Sequence, residues 1–160
     1  MTNHNGVTLS DYQALAEFRY QIRRFVRFSE EAARRAGIEP RHHQLMLALK
    51  GKPDGEEPRI AYLAERLQIQ HHSAVELVDR LVRKRLIKRT RGDADRREVH
   101  VRLTARGERI LGELTGHMRG ELRSSAPGLV AALSKLTPRA GAGTDARRQP
   151  RAAKKAGAKS

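Results

Sequence analysis

The chain has 160 residues, contains no cysteine, and carries a formal net charge of +15 at pH 7. The missing cysteines exclude disulfides, thiol chemistry and cysteine-ligated zinc, and no apolar run approaches the roughly 20 residues that a membrane-spanning helix needs. Most of the positive charge lies before residue 139, in the part expected to fold. A basic folded body predicts a polyanionic partner, so we expect a cytoplasmic, nucleoid-associated protein with no membrane association.

The first predicted elements are a flexible arm over residues 1–8 and a long helix over residues 9–36. Ser10 and Asp11 are the predicted caps of its start, and Gly37 is its predicted stop. A helix of about 27 residues is long for a small domain and is expected to make dimer contacts. Its residues with helical three-and-four spacing form one predicted stripe: Tyr12, Leu15, Phe18, Ile22, Phe25, Ser29, Ala32 and Ala36.

Two helices around a tight turn are predicted in the middle of the chain. Pro40 begins an earlier helix that ends near Gly51, and a turn-rich loop leads to Arg59 and Ile60, the candidates for a short strand. A short helix over 61–67, a turn over 68–70 and a helix over 71–86 follow. This order is that of a helix-turn-helix, which places its second helix in the DNA major groove. The predicted buried side of that helix comprises Val75, Val78, Leu81, Val82 and Leu86.

A two-stranded ribbon is predicted next, over residues 87–91 and 98–103, with the connector GDADRR between its strands. In the second strand Val99, Val101 and Leu103 are expected inside, and Glu98, His100 and Arg102 outside.

The last predicted helices cover residues 104–136. Thr104 is the predicted cap of the first, Pro127 is expected to break it, and Ser125 to cap a final helix. Residues 137–160 consist mainly of Ala, Gly, Lys, Arg and Pro, which predicts a disordered basic tail.

The ribbon and the helix after it resemble the MarR family of bacterial transcription regulators. The family's wing pattern appears in this chain as Asp95, Arg97, Val101, Leu103, Thr104 and Gly107, and the preceding helix pair, LAERLQIQHHSAVELVDRL, is similar to the family's segment. The resemblance covers about residues 9–136. It implies a mainly α fold with a small β-wing, a winged helix-turn-helix whose DNA-binding part spans about 40–104. It also implies dimerisation helices over about 9–36 and 104–136.

The resemblance further implies an obligate homodimer that represses or activates transcription at palindromic sites, often under control of a small molecule. This chain departs from the family at two positions. Arg85 stands where the family usually has Gly, and we expect a differently shaped helix exit because a left-handed Arg costs about 1 kcal/mol. Arg59 replaces the usual Ser or Thr cap of the short helix.

The start of the second helix of the helix-turn-helix holds the residues expected to face base edges in double-stranded DNA. Gln pairs well with adenine, Glu accepts from cytosine N4, and Ser and His bind several bases, while Val contacts the thymine methyl. Arg80 is expected at phosphate. The alternative is that some of these side chains cap the helix. The predicted base-contacting set is Gln70, His71, His72, Ser73, Val75 and Glu76.

The tip of the ribbon carries Arg96 and Arg97, which suit a narrow minor groove because its negative potential attracts arginine. Asp95 is expected to hold Arg97 or the wing turn in position through a charge-assisted hydrogen bond. The alternative is a solvated polar hairpin.

Histidine chemistry leaves two further interpretations. The adjacent pairs His42–His43 and His71–His72 lack the i, i+4 spacing of helical metal ligands, so no metal and no cofactor are expected. A metal site joining His42 or His43 to His117 remains an alternative. Family analogy places an effector pocket near Tyr12, His42, His43 and Met46.

Gly112, Gly116 and Gly120 repeat every four residues in the long helix after the wing, although each costs about 1 kcal/mol relative to Ala. They either allow close approach of another helix, such as the partner's first helix, or leave a helix that bends readily. No catalytic motif is present, so an enzyme is not expected. Besides a sequence-specific regulator, a nucleoid-associated architectural protein and a metal-responsive regulator remain alternatives.

Overall fold

The computed structural model describes residues 7–91 and 99–137. Predictions for residues 1–6, 92–98 and 138–160 lie outside the described residues. The predicted fold class is confirmed, since two antiparallel strands accompany a mostly helical chain. Within the described ranges, no helix has both the length and the apolar character needed to cross a bilayer. The elements are α1 (Leu9–Arg35), α2 (Pro40–Lys50), α3 (Ile60–Leu67), α4 (His71–Arg83), β1 (Ile87–Arg91), β2 (Val99–Leu103) and α5 (Ala105–Leu136).

The two ends of α1 are set by local hydrogen bonds. Thr8, rather than the predicted Ser10, is the N-cap, and Asp11 completes a capping box with it. The Asp11 carboxylate accepts from the Thr8 backbone and hydroxyl at 2.7 Å each, which lowers the pKa of Asp11. Gly37 follows the helix end with φ 73°, and the Ile38 N–H donates to the Ala33 carbonyl, as in a Schellman motif. The predicted stop at Gly37 is therefore confirmed.

The single apolar stripe predicted for α1 proves to be two stripes. One faces α5, where the Ser29 hydroxyl lies 3.6 Å from the Met118 sulfur and Ala32 is buried beside Phe28. The other remains exposed and includes Tyr12, at 55% exposure, and Leu15, at 48%. The sequence pattern predicts one stripe because residues three or four positions apart are close on a helix. The spacing alone does not show which of two adjacent faces each residue joins.

α5 runs unbroken through Pro127, so the predicted break and the separate final helix are wrong. Proline removes one backbone N–H from the helix ladder and ordinarily kinks or breaks a helix. Here the hydroxyls of Ser124 and Ser125 both donate to the Glu121 carbonyl, at 2.8 and 3.0 Å, in the turn before the proline. Ser125 thus bonds back into the helix instead of capping a new one. Packing against α1, where Gly128 lies beside the Gln21 side chain, continues past Pro127.

The main core lies between α2, α3, α4 and the base of the β-ribbon, and the first turns of α5 close it. Gly107 in α5 packs so closely against the Leu86 carbonyl that no side chain fits there. The Thr104 hydroxyl donates to the carbonyl of Arg85 at 2.8 Å and accepts from the Gly107 N–H at 3.1 Å. The buried members of this core include Leu45, Met46, Leu63, Val78, Leu81, Leu86, Ile87, Val101 and Leu111.

α4 ends at Arg83, three residues before the predicted end at Leu86. Arg85 then adopts φ 56°, and the Leu86 N–H donates to the Leu81 carbonyl at 3.0 Å. This exit has the same hydrogen-bond pattern as the Gly37 exit of α1, so the expectation of a different shape at Arg85 is wrong. Tertiary contacts impose the left-handed backbone on Arg85 despite its side chain.

The predicted alternation in β2 is also wrong. Val99 is 46% exposed, whereas the adjacent residues His100 and Val101 are both buried. The reason lies in the preceding loop, because Arg59 forms a β-bridge with His100, and the Val101 N–H donates to the Pro58 carbonyl at 2.8 Å. Arg59 thus has the predicted strand-like pairing, while Ile60 begins α3.

Candidate nucleic-acid interface

The turn between α3 and α4 fixes the direction in which α4 leaves the core. Gln68 adopts φ 53° and its side-chain amide donates to the Glu65 carbonyl at 2.8 Å. The Ile69 N–H donates to the Ala64 carbonyl at 3.0 Å. Gln70 is the N-cap of α4, yet its side chain makes no capping hydrogen bond and is exposed. Its amide group is therefore available for contacts outside the chain.

One face of α4 is buried and the opposite face is open to solvent. Ala74, Leu77, Val78 and Leu81 are buried against the core. Val75 and Val82, which the sequence assigned to the buried side, are only half-buried. The sequence analysis missed Ala74 and Leu77 because small or isolated apolar residues give a weak periodic signal.

The open face of α4 carries polar side chains at helical spacing. His72, Glu76, Asp79 and Arg83 follow one another by four, three and four residues, which places them on one face. The Asp79 carboxylate forms an ion pair with the guanidinium of Arg89 in β1, with 2.7 Å between Oδ1 and Nη2. This pair ties the β-ribbon to α4. Asp79 was absent from the sequence-based set, although its spacing from His72 and Glu76 carried the signal.

The other predicted contact residues occupy the edges of this face. Ser73 is half-buried toward α2, and His71 is exposed on the flank. Glu76 lies 3.7 Å from Arg80, and both side chains are more than half exposed. Neither His71 nor His72 caps the helix, because no side-chain cap is formed at this end.

Exposed cations form a basic border at the C-terminal end of the open face. It continues from the end of α4 into β1 and consists of exposed cations. Of these, Lys84 pairs with Glu39 at 3.7 Å and Arg89 with Asp79. Cations at this place suit the phosphates that flank a groove-bound helix. The border comprises Arg83, Lys84, Arg85, Lys88, Arg89 and Arg91. The predicted wing residues Asp95, Arg96 and Arg97 lie outside the described residues.

The four residues proposed for an effector pocket do not lie together within one protomer. His42 and His43, in the first turn of α2, and Met46, in its middle, are buried. Tyr12 lies 23 residues before the end of α1, about 35 Å along the helix axis. Burial lowers the pKa of both His42 and His43, and a carboxylate oxygen of Glu39 lies 3.8 Å from His42 Nε2.

His117 lies apart from the buried histidines, on the exposed side of α5. It lines an open cleft of about 510 Å³ between α1 and α5, together with Glu113, Arg35 and the apolar side chains of Phe28 and Leu114. Within the described residues, no group of three or more His, Asp or Glu side chains is arranged to hold a metal ion.

Together, the helix-turn-helix, the ribbon beside it and the two long flanking helices define a winged-helix protein. Residues 36–98 match the model of the MarR family. No curated protein sequence matches the chain. The resemblance to the MarR family that the sequence indicated is thereby confirmed, and the chain has the winged-helix fold of MarR-family transcription regulators.

Solved structures with the same fold include AbsC from Streptomyces coelicolor, a MarR family transcriptional regulator. It is 20% identical with a TM-score of 0.64, and the match covers 82% of this chain and 93% of AbsC. MarR from E. coli, in its apo form, is 19% identical with a TM-score of 0.59, covering 75% and 93%. A variant of MepR from S. aureus, solved bound to an oligodeoxyribonucleotide, is 22% identical with a TM-score of 0.55, covering 78% and 94%.

Proposed function

We propose that this protein is a transcription regulator that binds double-stranded DNA sequence-specifically as a homodimer. The observation that carries the proposal is the open polar face of α4 beside a basic ribbon, on a fold shared with the DNA-bound MepR variant. The open face presents the hydrogen-bonding side chains that base edges in a major groove require. A pseudo-palindromic operator of roughly 16–20 bp follows from two such helices one DNA turn apart with flanking wings.

Exposed apolar residues on α1 and α5 form the surface proposed to bind a second copy of the chain. On α1, Tyr12, Leu15, Ile22 and Val26 form a stripe at spacings of three, seven and four residues, and all are at least 39% exposed. On α5, Val130 and Leu133 are 59% and 43% exposed. Apolar side chains clustered in this way mark an interaction surface. Ile22→Glu should convert a dimer to monomers in sedimentation, whereas the same change at the exposed Arg66 of α3 should not.

DNA footprinting on genomic fragments selected by the purified protein tests the main proposal. A regulator protects a discrete site with two-fold symmetry, and His72→Ala should weaken that protection by about tenfold or more. A nucleoid-associated architectural protein would protect DNA broadly with little sequence preference. Broad protection, or a monomer in sedimentation, would contradict the proposal. A change in binding on adding zinc or a chelator would favour a metal-responsive regulator.

We further propose that a small-molecule effector controls DNA binding and that it binds in the cleft between α1 and α5. The cleft combines apolar side chains with Arg35, Glu113 and His117 and has the volume of a small organic molecule. Compounds that raise the melting temperature of the wild type should be tested on Leu114→Ala and His117→Ala. A compound that stabilises all three proteins equally binds elsewhere.

A further inference from the structure

A second surface borders the open face of α4, on the side away from the β-ribbon. A cleft of about 400 Å³ lies where the end of α1, the start of α2 and α4 meet. Ser73, Glu76 and Arg80 line it from α4, and Arg41 lines it from the first turn of α2. Arg41 therefore shares one cleft with three residues of the predicted DNA-contacting set.

Three carboxylates and three guanidinium groups line this cleft, and the carboxylates all form ion pairs with cations other than Arg41. Glu30 pairs with Arg34 at 3.0 Å, and Glu76 with Arg80 at 3.7 Å. Glu39 lies 3.7 Å from Lys84 of α4. Among the described residues, no carboxylate lies within 4.0 Å of Arg41, which is exposed. Arg41 is therefore the lining cation for which the described residues supply no paired carboxylate.

The position of Arg41 in its helix is electrostatically unfavourable. The N-terminus of a helix carries a partial positive charge, so a cation in the first turn is repelled. α2 has no acidic residue in its first turn, and its N-cap, Glu39, makes no side-chain capping hydrogen bond. An anion placed at Arg41 is attracted by both the guanidinium and the helix end.

We propose that Arg41 binds a DNA backbone phosphate beside the bases that α4 contacts. The proposal rests on the proposed function and extends the DNA contact from the helix-turn-helix and wing to the start of α2. With the basic border along β1 on one side of α4 and Arg41 on the other, each protomer holds the phosphates on both sides of the groove. Such contacts set register and affinity and carry no sequence information.

The test measures dissociation constants for the selected operator over a series of NaCl concentrations. Arg41→Gln should lower the slope of log affinity against log salt by about two units, one for each protomer of the bound homodimer, and Arg41→Lys should retain the wild-type slope. The ratio of operator to shuffled-duplex affinity should stay within about twofold in both variants, because a phosphate contact reads no base. Arg27→Gln makes the same charge change on α1 and should leave the slope unchanged.

A wild-type slope in Arg41→Gln would overturn the proposal, and so would an equal decrease in Arg41→Gln and Arg27→Gln, which would show a general charge effect. Either result leaves the proposed function standing if the wild type still protects a discrete site. If the wild type protects no discrete site, the proposed function fails. In that case the salt slopes of the wild type and Arg41→Gln, measured on any duplex, still show whether Arg41 contacts phosphate.

Discussion

The α-carbon of Gly107 packs directly against the carbonyl oxygen of Leu86, leaving no space for a β-carbon. This contact joins the first turn of α5 to the exit of α4, and Thr104 bonds to the same carbonyl at 3.2 Å. We expect Gly107→Ala to lower the free energy of unfolding by about 1–3 kcal/mol, because the backbone must shift. Urea unfolding measures this, with Arg106→Ala as the control in the same turn. Equal stability of the two variants would contradict the close packing.

Replacing Arg85 tests the cost of its left-handed backbone. Arg85→Gly should raise the free energy of unfolding by about 1 kcal/mol, since φ 56° is strained for arginine and free for glycine. Lys84→Gly is the matched control, because Lys84 has φ −75° and gains nothing from glycine. Thermal and urea unfolding compare the three proteins. A loss of stability in Arg85→Gly would show that the arginine side chain makes stabilising contacts that outweigh the strain.

The buried histidines predict a dependence of stability on pH. Burial lowers the pKa of His42 and His43, so the folded protein keeps them neutral at pH values where the unfolded chain binds protons. Stability is therefore complete above the ordinary histidine pKa of about 6.5 and falls as the pH decreases below it. Each histidine contributes a slope of at most about 1.4 kcal/mol per pH unit. Urea unfolding between about pH 5.5 and pH 8 measures the slope, since this range covers the ordinary histidine pKa.

The variant His43→Leu isolates one of these contributions. Its stability should depend less steeply on pH than that of the wild type, because one buried proton-binding group is gone. His72→Gln removes an exposed histidine and should leave the wild-type slope. If His43→Leu retained the full slope, the pH dependence would arise from other groups.

Glu76 is expected to contribute to DNA specificity through its negative charge on the open face of α4. A carboxylate there accepts from cytosine N4 and repels phosphate in misaligned complexes. Glu76→Gln should therefore strengthen binding to a shuffled duplex and lower the ratio of operator to shuffled affinity by about tenfold. Fluorescence anisotropy at fixed salt measures both, with Glu56→Gln as a charge-matched control. An unchanged ratio would remove Glu76 from the contact set.

The glycine stripe of α5 packs against no other part of residues 7–91 and 99–137. A β-carbon at Gly112, Gly116 or Gly120 would meet no atom within 4 Å. If the stripe admits a partner helix, replacing all three by alanine should weaken dimerisation in sedimentation equilibrium. Higher stability with unchanged dimerisation would instead support the interpretation as a helix that bends readily.

Local signals in the sequence determined the end of α1, the start of α2 and the start of α5. Pro40, Gly37 and Thr104 act through the backbone of their own few residues, so their roles follow from the residue type and its neighbours. The helix-turn-helix and its ribbon follow for the same reason, and so does the choice of α4 as the helix proposed to face DNA. The polar set His72, Glu76, Asp79 and Arg83 follows from spacing along one helix, which the sequence alone contains.

Only the tertiary structure decided which of two adjacent faces is buried and where a local preference is overridden. His100 is buried because Arg59, 41 residues earlier in the chain, pairs with its strand. Pro127 stays inside α5 because α1 packs along it, and Arg85 accepts a left-handed backbone because Thr104 and Gly107 hold the chain beside it. These outcomes depend on contacts between residues distant in sequence, whose combined energy exceeds the local preferences of about 1–3 kcal/mol that patterns report.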